Sequence, residues 1–238
     1  MKIETFSNYN SLSKKAAKLI HSSILKKPAS LLCAASGNST LKTYQMLFEK
    51  FSANPGDFKY LKVLKLDEWG GIPMEHPGTC ESFLQENIIK PLQIPKSQYI
   101  SFQSNPENKE KECDKISHYL KEQGPIDLCV LGLGMNGHIA FNEPGDSLLP
   151  HCHIAELSTT SLNHSMTDQM ATKPTFGLSL GMKDILQSRQ IIIILTGLKK
   201  NEVAKEFLSQ KITTRLPASF LWLHENTTCL INEDDIKI

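Results

Sequence analysis

The stretch IDLCVLGLGMNGHIAFNEPG, residues 126–145, joins an apolar run to three closely spaced glycines and two ionisable side chains. Its first part, 126–131, has the length of a strand and too few polar residues for a solvated face, which predicts a buried strand of a parallel sheet. The glycines allow sharp turns and close packing against a ligand. His138 and Glu143 follow them directly. Because ligands bind outside the carboxyl ends of strands in open α/β sheets, this stretch is a candidate active site.

The glycines at 132, 134 and 137 also have the G-x-G-x-x-G spacing of a dinucleotide-binding loop. Such a loop requires a helix that begins at its third glycine and places its N-terminus on the pyrophosphate. Pro144 and Gly145 follow within two turns and prevent a long helix. We therefore expect no nucleotide cofactor. A histidine alone in such a turn could be structural, whereas the pair of His138 and Glu143 favours a chemical role.

Strand-like and helix-like segments alternate along the whole chain. The alternation predicts one α/β domain over residues 1–238, with three α/β/α layers, a largely parallel sheet and right-handed crossovers. Strand 190–195 is the most aliphatic and is expected to be central. The predicted strands are 30–35, 61–66, 126–131, 176–180, 190–195 and 228–231, and the predicted helices are 11–27, 41–51, 79–89, 105–123, 163–170, 182–187, 200–209 and 217–224.

Composition excludes several classes of partner. The 238 residues include 26 basic and 25 acidic ones, so no net field favours nucleic acid or a membrane surface. The N-terminus has no signal-peptide pattern, and the longest aliphatic run, 191–195, is far too short to span a bilayer. The six cysteines lack C-x-x-C pairs and are typical of reduced core thiols. We expect a soluble cytoplasmic protein with no nucleic-acid or membrane partner.

A second candidate site lies at Ser36-Gly37-Asn38-Ser39-Thr40, between a predicted strand and a predicted helix. The N–H groups of a glycine turn and of a helix N-terminus form an anion site. The segment is not a Walker A loop, because no Gly-Lys-Ser/Thr follows. A capped helix start would explain Ser39 or Thr40 but not the whole cluster. Gly197 and Lys200 follow strand 190–195 in a similar arrangement.

The run Gly-x-x-Gly-His-Ile-Ala-Phe-Asn-Glu-Pro-Gly, residues 134–145, resembles the signature of the glucosamine-6-phosphate deaminase/isomerase family. The related 6-phosphogluconolactonases share the Gly-His portion but not the Phe-Asn-Glu-Pro that follows. The resemblance covers about the whole chain. It implies the modified Rossmann fold shared with ribose-5-phosphate isomerase A and CoA-transferases, and a reaction that needs neither a cofactor nor a metal.

The resemblance also implies catalytic roles for four residues. Asp67-Glu68-Trp69 is similar to the family's Asp-Glu-Tyr motif, whose aspartate takes the proton from C2 of the sugar. His138 matches the acid and base of ring opening, a task suited to imidazole. Glu143 is expected to bond to His138 and fix its tautomer. Asn136 stands where the glucosamine enzymes usually have Asp, and it can orient His138 without sharing its charge.

The phosphate site implied by the resemblance is less complete. It comprises Ser36, Gly37, Asn38 in place of a glycine, Ser39, Gly132 and Lys200. The glucosamine enzymes add an arginine after their active-site lid, whereas this chain has no arginine between 137 and 188. Lys199 or His153 could take its place. His151 and His153 form a His-x-His pair without a third ligand cluster nearby, so we expect no metal site.

The substrate expected from the resemblance is galactosamine-6-phosphate. Trp69 and the segments 77–84 and 217–224 are closer to the galactosamine-6-phosphate branch than to the glucosamine one. The implied reaction converts galactosamine-6-phosphate and water into tagatose-6-phosphate and ammonia. Three alternatives stay open: glucosamine-6-phosphate deaminase, 6-phosphogluconolactonase and a non-catalytic sugar-phosphate sensor. No single residue fixes the C4 epimer, and the sequence leaves a homo-oligomer open.

Overall fold

Two β-sheets organise the protein, whose computed structural model describes residues 1–168 and 170–237. Seven parallel strands form the larger sheet, in the order β1-β10-β9-β6-β2-β3-β5, and three antiparallel strands form the smaller one, in the order β4-β8-β7. The strands are β1 Lys2–Phe6, β2 Leu31–Ala34, β3 Lys62–Lys65, β4 Asp67–Gly70, β5 Tyr99–Ile100, β6 Leu128–Gly132, β7 His153–Ala155, β8 Phe176–Ser179, β9 Ile191–Leu195 and β10 Thr227–Asn232.

Helices cover both faces of the larger sheet. They are α1 Tyr9–Lys26, α2 Asn38–Ala53, α3 Cys80–Leu84, α4 Lys109–Gln123, α5 Thr159–Leu162, α6 Met182–Leu186 and α7 Asn201–Leu208. Strand β9 shows why its sequence is aliphatic throughout: Ile192 and Ile194 pack against α1 and α2, while Ile191 and Ile193 face the opposite core with α4 and α7. The strand is therefore buried on both faces. The predicted three-layer α/β/α fold with a parallel sheet is confirmed.

Several local predictions were wrong. Residues 163–168, predicted as part of a helix over 163–170, form turns after the short α5, and residue 169 of that prediction lies outside the described residues. Segment 217–224 is helical as predicted, but it forms a 3-10 helix, Pro217–Leu223. Helix α1 begins at Tyr9, with Asn8 as its N-cap, two residues before the predicted start at residue 11. Four strands, β1, β4, β5 and β7, were not predicted, nor was the smaller sheet. Strand β9, which was expected to be central, lies next to the middle strand of the larger sheet, β6.

The two sheets meet at Leu66. Strand β3 ends at Lys65 in the larger sheet, and β4 begins at Asp67 in the smaller one. The Leu66 carbonyl accepts a hydrogen bond from the Leu180 N–H at 3.1 Å, just beyond β8. Asp67 is thus the first residue of the smaller sheet and faces the carboxyl edge of the larger one. Among the helices of the described ranges, none combines the length and apolar character that crossing a bilayer requires.

Candidate active site

A cavity of about 560 Å³ opens at the carboxyl ends of the central strands of the larger sheet. This volume is typical of a site for one small molecule. Most of the site residues predicted from the sequence line it: Ser36, Gly37, Asn38, Ser39, Asp67, Gly132, His138 and Lys200. The other two, Asn136 and Glu143, lie behind the His138 ring and bond to it or to its backbone. The structure therefore brings the predicted residues together around one cavity.

Asp67 is a buried carboxyl group in the wall of this cavity. Burial raises the pKa of Asp67 to about 7, and the negative charge of Glu68 adds to the shift. The positive charge of His138, a hydrogen bond with the Cys80 thiol and the charge of Lys65 act in the opposite direction. A carboxyl group with this pKa exchanges its proton near neutral pH, as a general acid–base group should.

A buried ion cluster lies directly behind Asp67. The ammonium group of Lys65, which is fully buried, bonds to Glu68 at 2.6 Å and to Glu81 at 2.8 Å. The Tyr99 hydroxyl donates to Glu81 at 2.8 Å. The Glu68 carboxylate also accepts the backbone N–H groups of Trp69, Cys80 and Glu81. Glu68 thereby ties the first turn of α3 to β4, so the backbone that carries Asp67 is held on both sides.

His138 is oriented by its contacts with Glu143 and Ser161. Its Nδ1 atom lies 3.2 Å from the Glu143 carboxylate and 3.2 Å from the Ser161 hydroxyl. The imidazole packs against Gly134, where a Cβ atom would come within 2.1 Å of the ring. Gly137 has a φ of +85°, a conformation that favours glycine. Two of the motif's glycines thus serve the histidine, and the expected contact between His138 and Glu143 is present.

Glu143 is held as an anion. Burial alone would raise its pKa, but hydrogen bonds and the charge of His138 lower the pKa of Glu143 to about 2. The donors are His138, the Ser161 hydroxyl and the Asn136 amide, which lies 2.8 Å away. Asn136 also accepts the backbone N–H of His138 at 3.1 Å and donates to Ser158 at 3.2 Å. Asn136 therefore fixes the loop and Glu143 in place, and its bond to His138 is to the backbone and not to the imidazole ring.

The opposite end of the cavity has the properties of an anion site. Gly37 has a φ of +105°, and residues 38–40 form the first turn of α2, whose N-terminus faces the cavity. The Lys200 ammonium lies 3.3 Å from the Ser39 hydroxyl. Burial lowers the pKa of Lys200 to about 8, against the opposing charge of Asp235. A bound anion would restore the stability of the charged lysine.

Tyr9 supports this anion site although the sequence analysis did not single it out. Its hydroxyl donates to the carbonyl of Asn38 at 2.6 Å and accepts the N–H of Lys42 at 3.1 Å. At Gly132 a Cβ atom would stand 3.4 Å from the Ser39 side chain, so a larger residue would crowd that hydroxyl. The loop is thus fixed by α1 on one side and β6 on the other.

The two residues proposed to replace the family's arginine lie in different places. Lys199 lines the cavity. His153 does not: it belongs to β7, and its ring bonds to the His151 carbonyl at 2.9 Å, so that suggestion was wrong. His164, which the sequence analysis placed in a helix without a role, lines the cavity instead. Of the lining residues in the described part of the chain, none is an arginine.

Similarity to known proteins extends over nearly the whole chain. A family profile described as glucosamine-6-phosphate isomerases/6-phosphogluconolactonase matches residues 7–230. The chain belongs to this family. Within it, the chain is 43% identical over 230 residues to the putative deaminase AgaI of Escherichia coli K12, covering 97% of this chain and 91% of that protein. It is 33% identical to a glucosamine-6-phosphate deaminase of Halothermothrix orenii, with 98% of each chain covered.

Solved structures of the family agree with this assignment. A monomeric glucosamine-6-phosphate deaminase superimposes with a TM-score of 0.94 at 28% identity, over 99% of this chain and 98% of that one. A 6-phosphogluconolactonase from Trypanosoma brucei superimposes with a TM-score of 0.77 at 18% identity, over 98% and 96%, and shares the fold. The relatives named as deaminases show that the chain is an enzyme of the glucosamine-6-phosphate deaminase/isomerase family.

Proposed function

We propose that this enzyme converts galactosamine-6-phosphate and water into tagatose-6-phosphate and ammonia. The observation that carries the proposal is the content of one cavity. It holds a buried carboxyl group, Asp67, with a pKa near 7, an imidazole braced by a carboxylate, and an anion site at Ser39 and Lys200. An aldose–ketose proton transfer on a phosphorylated sugar requires each of these groups.

The phosphate group would bind at the N-terminus of α2. There the N–H groups of residues 37–39, the Ser36 and Ser39 hydroxyls and the Lys200 ammonium would satisfy its oxygens. Because Gly132 has no side chain, the space beside the Ser39 hydroxyl stays open. Asn38 contributes through its backbone, whose carbonyl Tyr9 holds in place. Anchoring the phosphate at this end would direct the reacting carbons, C1 and C2, toward Asp67 and His138.

Chemistry would begin with opening of the sugar ring. His138 delivers a proton to the ring oxygen and takes the proton from the C1 hydroxyl, so that a free aldehyde forms at C1. The Glu143 carboxylate stabilises the imidazolium form and sets the ring orientation through Nδ1. Asn136 keeps Glu143 and the His138 backbone aligned.

The second stage moves a proton and releases nitrogen. Asp67 takes the proton from C2 and returns it to C1, while the C1 oxygen gains a proton and the amino nitrogen loses one, so that the amino aldehyde becomes a C2 imine with a hydroxyl at C1. Water adds to the imine carbon, and loss of ammonia leaves the ketose phosphate. Asp67 can act in both directions because its pKa of about 7 lets it accept and return the proton at neutral pH.

Two observations support the galactosamine substrate over the glucosamine one. The chain is 43% identical to the putative deaminase AgaI, whose name does not specify glucosamine-6-phosphate, but only 31–33% identical to relatives named as glucosamine-6-phosphate deaminases. Trp69, which replaces the tyrosine of the Asp-Glu-Tyr motif, forms a wall of the cavity and packs on Phe141 with ring centroids 4.5 Å apart. A wall that differs beside Asp67 can change which sugar hydroxyls fit there.

Glucosamine-6-phosphate deamination is the second candidate, favoured by the TM-score of 0.94 to a deaminase for that substrate. The lactonase alternative is less well supported, because the lactonase match is at the level of the fold. In Phe141-Asn142-Glu143-Pro144, Glu143 contacts His138, and Asn142 holds the loop by donating to the Ile139 and Leu180 carbonyls. A non-catalytic sensor would need neither Asp67 nor this pair.

A coupled assay of ammonia release tests the proposal. Galactosamine-6-phosphate and glucosamine-6-phosphate are compared with the same enzyme sample, and Asp67→Asn serves as the inactive control. We expect a higher kcat/KM for galactosamine-6-phosphate. A site that bonds one C4 hydroxyl leaves its polar groups unpaired with the other epimer, so the ratio can be large. An equal or reversed ratio would refute the galactosamine assignment, and hydrolysis of 6-phosphogluconolactone without ammonia release would refute the reaction type.

A further inference from the structure

His164 is a cavity-lining side chain that the proposed reaction steps leave without a task. It follows α5 in a turn, and it faces the cavity between Trp69 and the loop at Gly37. A Cβ atom built on Gly37 would lie 3.9 Å from the His164 Cε1 atom. The imidazole therefore lies beside the loop that forms the anion site.

The hydrogen bonds of His164 define which ring nitrogen is free. The backbone N–H of Met166 donates to Nδ1 at 3.2 Å, so Nδ1 is the acceptor and the neutral ring carries its proton on Nε2. No residue of the described ranges bonds to Nε2. Because Nε2 is adjacent to Cε1, which lies nearest Gly37, this N–H is available at the edge of the anion site.

Positive charges outnumber negative ones near His164. Burial is the largest cause that lowers the pKa of His164 to about 4, and the positive charges of His138 and Lys200 add to it. The negative charge of Asp168 acts in the opposite direction. Lys200 and His164 thus both border the anion site. A dianion placed there would relieve their repulsion and favour the protonated imidazole.

We propose that His164 binds the phosphate group of the substrate through Nε2, and that it supplies there the contact for which no arginine is present. The inference rests on the proposed function only in taking a phosphate ester as the ligand. Lys200 approaches the anion from the Ser39 side and His164 from the Gly37 side, so the two side chains enclose it together with the N-terminus of α2. Binding couples to protonation, because the anion stabilises the imidazolium.

The experiment follows His164 with inorganic phosphate, and with sulfate as an anion that keeps its charge over the pH range used. The wild-type enzyme is labelled with ¹³C at histidine Cε1, and the His164 signal is assigned by its loss in His164→Ala. We expect either anion to shift the signal and to raise its titration midpoint by at least one pH unit. A His164 signal that saturating phosphate leaves unchanged would overturn the proposal.

Variants separate a phosphate contact from a purely structural role. His164→Ala should weaken phosphate binding about tenfold or more, since it removes a charge-assisted hydrogen bond. It should raise KM for the sugar phosphate while kcat changes less than about threefold. His164→Arg should recover phosphate affinity. His118→Gln, an exposed site on α4, is the matched control and should leave phosphate binding unchanged. Equal phosphate affinity of the wild type and His164→Ala would refute the proposal.

The same samples distinguish this inference from the proposed function. If phosphate shifts the His164 signal but neither amino sugar phosphate releases ammonia, the phosphate contact stands and the reaction assignment fails. If ammonia is released but phosphate leaves the His164 signal unchanged, the reaction assignment stands and the proposed phosphate contact is refuted.

Discussion

Asp67→Asn should make the protein more stable at alkaline pH while abolishing turnover. The pKa of Asp67 is raised from 3.8 to about 7, mainly by burial. A difference of about 3 pH units corresponds to about 4 kcal/mol, at roughly 1.36 kcal/mol per unit. The sign follows from proton binding: between pH 4 and 7 the folded state binds more protons than the unfolded state, so this group lowers stability as pH rises. Asparagine carries no charge and avoids that loss.

Urea unfolding at pH 4.5, 6 and 8 measures the effect. The Asn variant should exceed the wild type by about 1 kcal/mol at pH 4.5 and by up to about 4 kcal/mol at pH 8. Asp114→Asn, at an exposed position on α4, is the control and should change the unfolding free energy little at any pH. If Asp67→Asn is no more stable than the wild type at pH 8, the pKa of Asp67 is not raised by burial as the proposed mechanism requires.

Four further predictions concern the site and its support. His138→Gln should lower kcat by a factor of roughly 10²–10⁴, the scale of a general acid–base group, and near-normal ammonia release would contradict its role. Glu143→Gln should lower kcat at least about tenfold with little change in KM, because the anion that braces the imidazole is lost; a change confined to KM would speak against this. Trp69→Tyr should reduce the preference for galactosamine-6-phosphate by about tenfold in the ratio of kcat/KM values, and an unchanged ratio would remove Trp69 from specificity. Lys65→Met should destabilise the fold by about 3–5 kcal/mol in urea, because Glu68 and Glu81 would both lose the cation they share; a loss below about 1 kcal/mol would contradict this account of the cluster.

The sequence predicted those parts of the site whose chemistry is local. His138 and Glu143 are five residues apart on a short loop, so their contact follows from the motif itself. The turn at residues 36–40 and Lys200 each follow a buried parallel strand, and such strands place their carboxyl ends at one edge of a sheet. Their meeting around one cavity therefore required only the correct fold class.

What the sequence did not predict depends on distant contacts and short elements. Tyr9 reaches Asn38 across 29 residues, and Ser161 reaches Glu143 across 18. No periodic pattern in the sequence predicts either of these contacts. Strand β5 has two residues and β7 three, too few for an alternation of polar and apolar side chains to be recognised. His164 lay in a segment assigned to a helix, so its approach to Gly37 could not be anticipated.

Leu66, the single residue between β3 and β4, separates two parts of the site that belong to different sheets. The proposed phosphate contacts of Ser39 and Lys200 lie just beyond strands of the larger sheet, whereas Asp67 and Trp69 belong to β4 of the smaller one. Mutations in the three antiparallel strands can therefore reshape the surroundings of the sugar carbons while the anchor for the phosphate keeps its geometry. A fold arranged in this way can acquire new sugar substrates by small inherited steps, since each intermediate would still hold a hexose phosphate in register with its base.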